Sequence, residues 1–320
     1  MRFRLLIAIL ALFIAPLSHA SSSRPQEVYT GIYLMNLYDL DINQYSFYAD
    51  FYLWFRWKGD LDPTNIEFVN AVEKWGFTQN MFYDTARVLP DGYSYNGMRV
   101  EGRFYHAFEL SSFPLDRHKL DIRFENVDHP LDSLVYIPDT AASLMRHDFI
   151  VPGWNIGTGT MRTHSNFYQT NFGETDIDGD TFSNFTFQLI ISRPLSYFLL
   201  KLMLPLLVVI IASLGGLLIH PSYIDARISL PIGGLLSCVF LQQSYSDAIP
   251  DVGYMVLMDR IYLLSYILIA VIMLRVIVVG NATAWGKYDN VAVLCSSDRR
   301  RSFWLLIIYL IISLILVLLA

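Results

Sequence analysis

Apolar residues crowd two parts of this chain: the first twenty positions and almost everything after residue 195. In the second part, four stretches at about 195–219, 228–247, 254–279 and 303–319 are long and apolar. Each can cross a bilayer as a helix, which takes roughly 20 residues. Between the two parts the pattern changes. Aromatic and β-branched residues come in short runs, QYSFYADFYLWFRW, RVLPDGYSYNGMRV, HKLDIRFE and NFTFQLIIS, broken by turn residues. Such alternation predicts an all-β, immunoglobulin-like sandwich. LPDG at 89–92 and DIDGD at 176–180 are the expected hairpin tips.

The apolar start has its own logic. Arg2 and Arg4 precede LLIAILALFIAPL, and the small-residue run SHA stands before Ser21. That order predicts a secretory signal peptide over residues 1–20. Residues 21–194 are then an exported, periplasmic domain, and 195–320 a transmembrane domain.

The second span differs from the other three because polar residues flank it. Ser229, Gly233, Leu236, Phe240, Gln243 and Asp247 follow one another at helical spacing, with Asp225 at the inner end. One face is therefore small and polar at one end, apolar in the middle and acidic at the other. Polar groups in hydrocarbon usually face a bundle interior or water. A pore-lining helix fits this face, and so does an ordinary bundle helix with polar ends.

Charge narrows the picture. The chain carries −6 overall, while the exported part holds ten more acidic than basic residues. That argues against nucleic acid and for cations nearby. Arg275, Lys287, Arg299, Arg300 and Arg301 fall on one side of the spans. The positive-inside rule makes that side cytoplasmic and leaves the C-terminus outside. Cys238 and Cys295 are the only cysteines, both beyond the exported part, so no disulfide framework is expected there. No HExxH, GxSxG or phosphate-loop motif is present, so neither an enzyme nor a cofactor is expected. Asp176, Asp178 and Asp180 alternate as weak calcium candidates, with a solvated hairpin tip as the alternative.

Several short motifs, in order, carry a family resemblance. NQYSFYADFYLWFRWKGDLDP ends its strand in Trp57; Phe113-Pro114-Leu115-Asp116 forms an FPxD centre; Arg193-Pro194 precedes the first span, which contains Pro205. The second span has Arg227 at its inner end, Leu236 in the middle, and Asp247-Ala248-Ile249-Pro250 at its outer end; Tyr254 and Asp259 follow. The chain resembles a bacterial member of the pentameric ligand-gated ion channels, the Cys-loop receptor superfamily. It lacks the loop cysteines: His106 and Leu120 stand in their places.

The resemblance implies a homopentamer around a central pore lined by the second helix, in a bacterial inner membrane. Leu236 stands at the gate position, Ser229 at an inner polar ring, and Asp225 where cation-selective bacterial members carry an acid. Pro231, Gly233 and Phe240 depart from the pattern. Pro231 is compatible with a regular helix that starts near Ser229. In the agonist cage, position matching puts Tyr52 and Phe182, with Val69 and Val127 at two other cage positions. Phe68 and Phe124 lie near those valines in sequence without having to point into the cage, and the alternative for all four aromatics is the sandwich core. Asp41, Asp116, Arg193 and Pro250 are the expected coupling residues between sandwich and membrane. The implied function is a cation-selective channel opened by a small molecule, an amine among the candidates. The alternatives are proton gating in the same fold and a non-conducting periplasmic receptor. Permeant cations and membrane lipid are the remaining expected partners.

Overall fold

The computed structural model describes residues 24–73, 76–140, 144–146, 148–170, 172–173, 179–286 and 291–320, with only the backbone of Val291. The expected signal segment, Lys287, and the calcium candidates Asp176 and Asp178 lie outside the described residues.

Among the described residues, ten strands form the first part. They are β1 (Gln26–Asp41), β2 (Ser46–Trp57), β3 (Ile66–Phe68), β4 (Thr78–Met81), β5 (Arg87–Val88), β6 (Ser94–Tyr105), β7 (Arg117–Asn126), β8 (Leu134–Pro138), β9 (Asn155–Tyr168) and β10 (Asp180–Ser192). One sheet runs β4-β6-β2-β1-β8 with β5 beside β6, and the other runs β3-β7-β10-β9. All pairings are antiparallel except β1 with β8.

The alternation that predicts β2 also assembles the core. Phe47, Ala49, Phe51, Leu53, Phe55 and Trp57 are all buried, one every second residue. From the facing sheet, Leu120, Ile122 and Phe124 of β7 and Phe185, Phe187, Leu189 and Ile191 of β10 meet them. Ring centroids lie 6.0 Å apart for Phe55 and Phe124 and 5.0 Å apart for Phe124 and Phe185. Fully burying each such side chain contributes about 1.5–3 kcal/mol, which lets the sandwich fold without disulfides. The LPDG stretch turns as expected: Gly92, at φ 76°, donates its N–H to Leu89 O at 2.9 Å.

Among the described residues, four helices follow. In α1 (Tyr197–Gly215) the first turns, Tyr197–Met203, are π-helical. Pro205, just beyond, has no N–H for the bond to Lys201, so the tighter winding cannot be continuous there. Then come α2 (Ile224–Ser246), α3 (Leu257–Ala284) and α4 (Val291–Leu318). All four are long and apolar enough to cross a membrane.

Two boundaries differ from expectation. The last helix begins at Val291 rather than near residue 303: Asp298, in its charged first part, pairs inside the bundle with Arg227 and Arg275. The second begins at Ile224, so Pro231 lies well inside it. The Arg227 N–H donates to Tyr223 O at 3.0 Å, one turn before the expected start.

Candidate functional site

The pore candidates depend on which way α2 faces. Arg227, Pro231, Gly234, Cys238 and Tyr245 are buried against the rest of the bundle. Glycines set that contact. A Cβ on Gly234 would lie 2.0 Å from Ser213 Oγ, so α1 and α2 touch here without a side chain between them. A Cβ on Gly216 would lie 2.7 Å from the Arg227 carbonyl, which loses its helical donor to Pro231. The helix is thus clamped on one side.

On the other side Asp225, Ser229, Gly233, Leu236, Phe240, Gln243 and Asp247 are all exposed. Leu236 and Phe240 expose 57% and 66% of their surface, large values for apolar side chains in the middle of a helix. Gly233 has nothing within 4 Å of a Cβ position, which leaves a gap below Leu236. Gln243 Nε2 donates to Asp247 Oδ1 at 2.8 Å and holds that carboxylate at the upper end. Arg227 is the only basic residue of α2, and it points away from this face.

The junction between sandwich and helices brings two of the coupling candidates together. Arg193 Nε lies 2.8 Å from Asp116 Oδ1 and 3.1 Å from Oδ2. Its guanidinium also lies between two rings, 4.8 Å from Phe113 and 4.4 Å from Trp154. Asp116 is held from the other side by His118 Nε2 at 2.7 Å. Asp41 does not join them. Its Oδ1 accepts the Gln44 N–H at 3.0 Å and shapes the β1–β2 turn, a local bond that short side chains favour.

Pro250 is half-buried in the α2–α3 connection. The contacts with the sandwich come later in that connection. The Leu110 N–H donates to the Tyr254 hydroxyl at 3.0 Å, and the Leu257 N–H donates to Ser111 O at 2.9 Å. Phe113 stacks on Tyr245, at the end of α2, at 6.3 Å. The FPLD loop therefore touches both ends of the α2–α3 connection. Sequence reading singled out neither Tyr245 nor Ser111, because neither belongs to a motif.

A cavity of about 610 Å³ opens on the outer side of the four-stranded sheet. Phe182, Val69 and Val127 all line it, so three matched cage positions come together. Phe68 and Phe124 do not join them. They are 4% and 1% exposed and pack at 6.0 Å from each other inside the core. Strand parity is the reason: with Phe68 paired to Phe124 and both facing inward, Glu67, Val69, Glu125 and Val127 face outward.

Tyr168 and Phe172 complete the aromatic wall, with rings 5.9 Å between Tyr168 and Phe182 and 5.6 Å between Tyr168 and Phe172. Four carboxylates, Glu67, Glu125, Asp128 and Asp180, also line it beside Asn126, Pro130 and Thr170, with no basic side chain among the described residues. Glu125 is buried and accepts hydrogen bonds from Asn166, Tyr168 and Asn184 at 2.7–2.9 Å. Burial, and then this carboxylate, push the Tyr168 phenol up to about 12, so it remains a donor. Tyr52 lies on the other sheet, 5.9 Å from Phe82 and 5.6 Å from the Arg99 guanidinium, outside this cavity. Among the described residues no cluster of three His, Cys, Asp or Glu is arranged to hold a metal ion, and Asp180 belongs to the cavity wall.

No family model matches the chain. It is similar to a glutamate-gated chloride channel subunit beta of Haemonchus contortus, 25% identical over 187 residues, or 57% of this chain and 40% of that protein. It is also similar to the gamma-aminobutyric acid receptor subunit alpha-2 of Bos taurus, 21% identical over 311 residues, covering 86% and 65%. The Rattus norvegicus subunit of the same name is 21% identical over 272 residues, covering 75% and 56%. The chain thus spans about 40 to 65% of the length of these curated relatives. A β-sandwich followed by four membrane-length helices is the fold of a Cys-loop receptor subunit, and the relatives are distant ones among the subunits of such ligand-gated channels.

Proposed function

We propose that the chain is a subunit of a ligand-gated, cation-selective ion channel, a homopentamer around α2 with its sandwich on the periplasmic side of a bacterial inner membrane. The observation that carries this reading is the orientation of α2. Its one basic residue is locked inside the bundle, while Asp225 and Asp247 stand exposed on the same side as Leu236 and Phe240. In a ring of five, the exposed face becomes a narrow lumen. Acidic rings at both mouths concentrate cations, and the apolar middle blocks ions by dewetting until the helices move apart.

The ligand on this reading is a small organic cation. Glutamate and gamma-aminobutyric acid, which give the relatives their names, both carry a carboxylate. Among the described residues the cavity has four carboxylates, three aromatic rings and no basic group, a lining that suits an ammonium group and repels an acid. Tyr52 of the adjacent subunit would close it. Binding pulls on β7, β9 and β10. The strain reaches Asp116 and Arg193 at the ends of β7 and β10, and passes through Phe113 to the end of α2.

The test is a salt-gradient recording from the purified protein in a bilayer, across a panel of amines. We expect amine-evoked current with a reversal potential close to that of the cation. Asp225→Asn with Asp247→Asn is expected to cut the cation-to-anion permeability ratio by roughly tenfold, the loss of about 1.4 kcal/mol of ring electrostatics. An unaltered ratio sinks the pore-mouth assignment. A second reading, proton gating, draws on the buried Asp116–His118 contact beside Arg193. It is favoured if acid alone opens the channel and His118→Gln abolishes that response.

A further inference from the structure

The two halves of α2 are held by different neighbours. The half far from the sandwich is fixed to all three other helices. Arg227 pairs with Asp298 of α4 at 2.6 Å and donates to Gly216 O, at the end of α1, at 3.2 Å. Ile224 sits against α3 at Gly280, where a Cβ would lie 2.4 Å from its Cδ1. In the half near the sandwich the polar ties run to α3. Tyr245 donates to Asp259 and stacks on Tyr262 at 5.2 Å, and Gln242 accepts from the Tyr266 hydroxyl.

Between the halves runs Pro231-Ile232-Gly233-Gly234. Pro231 has no N–H for the Arg227 carbonyl, and its ring presses on that carbonyl. The two glycines weaken the helix further, because glycine gives up more backbone freedom than other residues. Prolines and small residues of this kind are where helices bend. The two sides of the stretch differ. Pro231 is buried, its Cδ 3.3 Å from where a Gly216 Cβ would stand. Gly233 lies on the exposed face, with nothing within 4 Å of a Cβ position. The push of the proline ring therefore spreads the helix on its bundle side and bends it toward the exposed face. There Gly233 has no side chain to resist.

We propose that residues 231–234 are a gating hinge within α2. The half that carries Leu236, Phe240 and Asp247 leans into the lumen when the pore is closed and straightens against α3 when it opens. The half that carries Asp225 and Ser229 stays with the Arg227–Asp298 knot in both states. The gate thus moves while the inner mouth keeps its width. A rigid tilt of the whole helix would have to separate Arg227 from Asp298, and parting a buried ion pair is costly. The inference rests on the pore reading of α2 and needs nothing from the ligand cavity.

Two measurements on the full-length protein test this without any ligand. The first is current from the purified protein in a bilayer. Pro231→Ala restores the bond to the Arg227 carbonyl and removes the push, so the straight form gains. We expect the current without ligand to rise roughly tenfold. Gly233→Ala adds a methyl on the concave side and should act in the same direction. Both changes raise helix propensity and add no atom to the buried side, so both variants are expected to fold. Leu236→Ser is the reference for a pore opened at the gate itself. The second measurement is amide hydrogen exchange in nanodiscs, resolved along α2. In the parent, residues 232–236 should exchange at least about tenfold faster than residues 226–230 and 239–244, and Pro231→Ala should remove the difference. An even rate along α2 in the parent overturns the hinge, whether or not the protein conducts. A current unchanged or lowered by Pro231→Ala, beside a leak from Leu236→Ser, overturns it and leaves the pore reading standing. No leak from any of the three variants sinks the pore reading, and the gating role with it.

Discussion

The two ends of the membrane bundle each hold an arginine on a buried carboxylate, and they are built differently. At the far end Asp298 serves two arginines from two other helices and is closed off from solvent. Each helix of the bundle contributes to that knot or touches it, so no member can move without breaking a charge-assisted bond. At the sandwich end Asp116 serves one arginine and one histidine, and Arg193 also lies against two ring faces. The link from there to the helices is a few single hydrogen bonds and a ring stack. A knot of ion pairs fixes helix position, and a junction of single contacts can be rearranged at small cost. On the proposed function, the far end is an anchor and the near end a transmission.

The largest effect is expected from breaking the anchor. Asp298→Ala leaves two guanidiniums facing each other in a buried site. Removing one partner of a buried pair costs about 3–5 kcal/mol, and here two cations lose theirs. The assembled fraction should fall sharply, read by size exclusion in detergent. The triple change Arg227→Met, Arg275→Met and Asp298→Leu removes every charge at once and should recover much of the assembly. If Asp298→Ala assembles like the parent, the anchor assignment is wrong.

Breaking the transmission should spare assembly and lose function. Arg193→Ala removes a partly buried guanidinium, yet Asp116 keeps His118 at 2.7 Å. A stability loss of about 1–3 kcal/mol is expected, the range for a charged hydrogen bond. Ligand-evoked current should fall at least about tenfold while ligand binding persists, a coupling loss of about 1.4 kcal/mol or more. A double-mutant cycle with Asp116 measures the coupling, and Asp41 is the control that should show none. Near-normal current from Arg193→Ala would mean that the signal crosses by another route.

The sequence made the same distinction only in part. The period-2 run of β2 and the four apolar spans were legible because burial repeats along one element. The sequence leaves Phe68 and Phe124 open between cage and core because their facing depends on the β3–β7 register, which no single strand reveals. Tyr168 and Phe172 were missed because the cavity wall is assembled from separate strands and a connecting loop. The early start of α4 was hidden by its charges. DRRR reads as a loop until Asp298 is seen between two arginines from other helices. The seven α2 residues were legible as one face because helical spacing alone places them together.

The smallest expected effect concerns acid at the transmission end. His106 packs 4.7 Å from Phe108 and 5.7 Å from His118, and its Nε2 is buried with no hydrogen-bond partner. Burial, and then the neighbouring His118, push its imidazole down to about 4, against the partial pull of Asp121. The folded value lies below the unfolded one. Between about pH 6.5 and 4 the unfolded chain therefore takes up a proton that the folded chain refuses. Stability from this group is full above that window and lost as the pH falls through it. From pH 7 to pH 5 the loss is about 2 kcal/mol. His106→Phe keeps the ring packing and removes the titration, so its unfolding midpoint should fall less than the parent's over that interval. If His106→Phe destabilises with acid as steeply as the parent, the acid sensitivity of the junction comes from His118 or from a carboxylate instead.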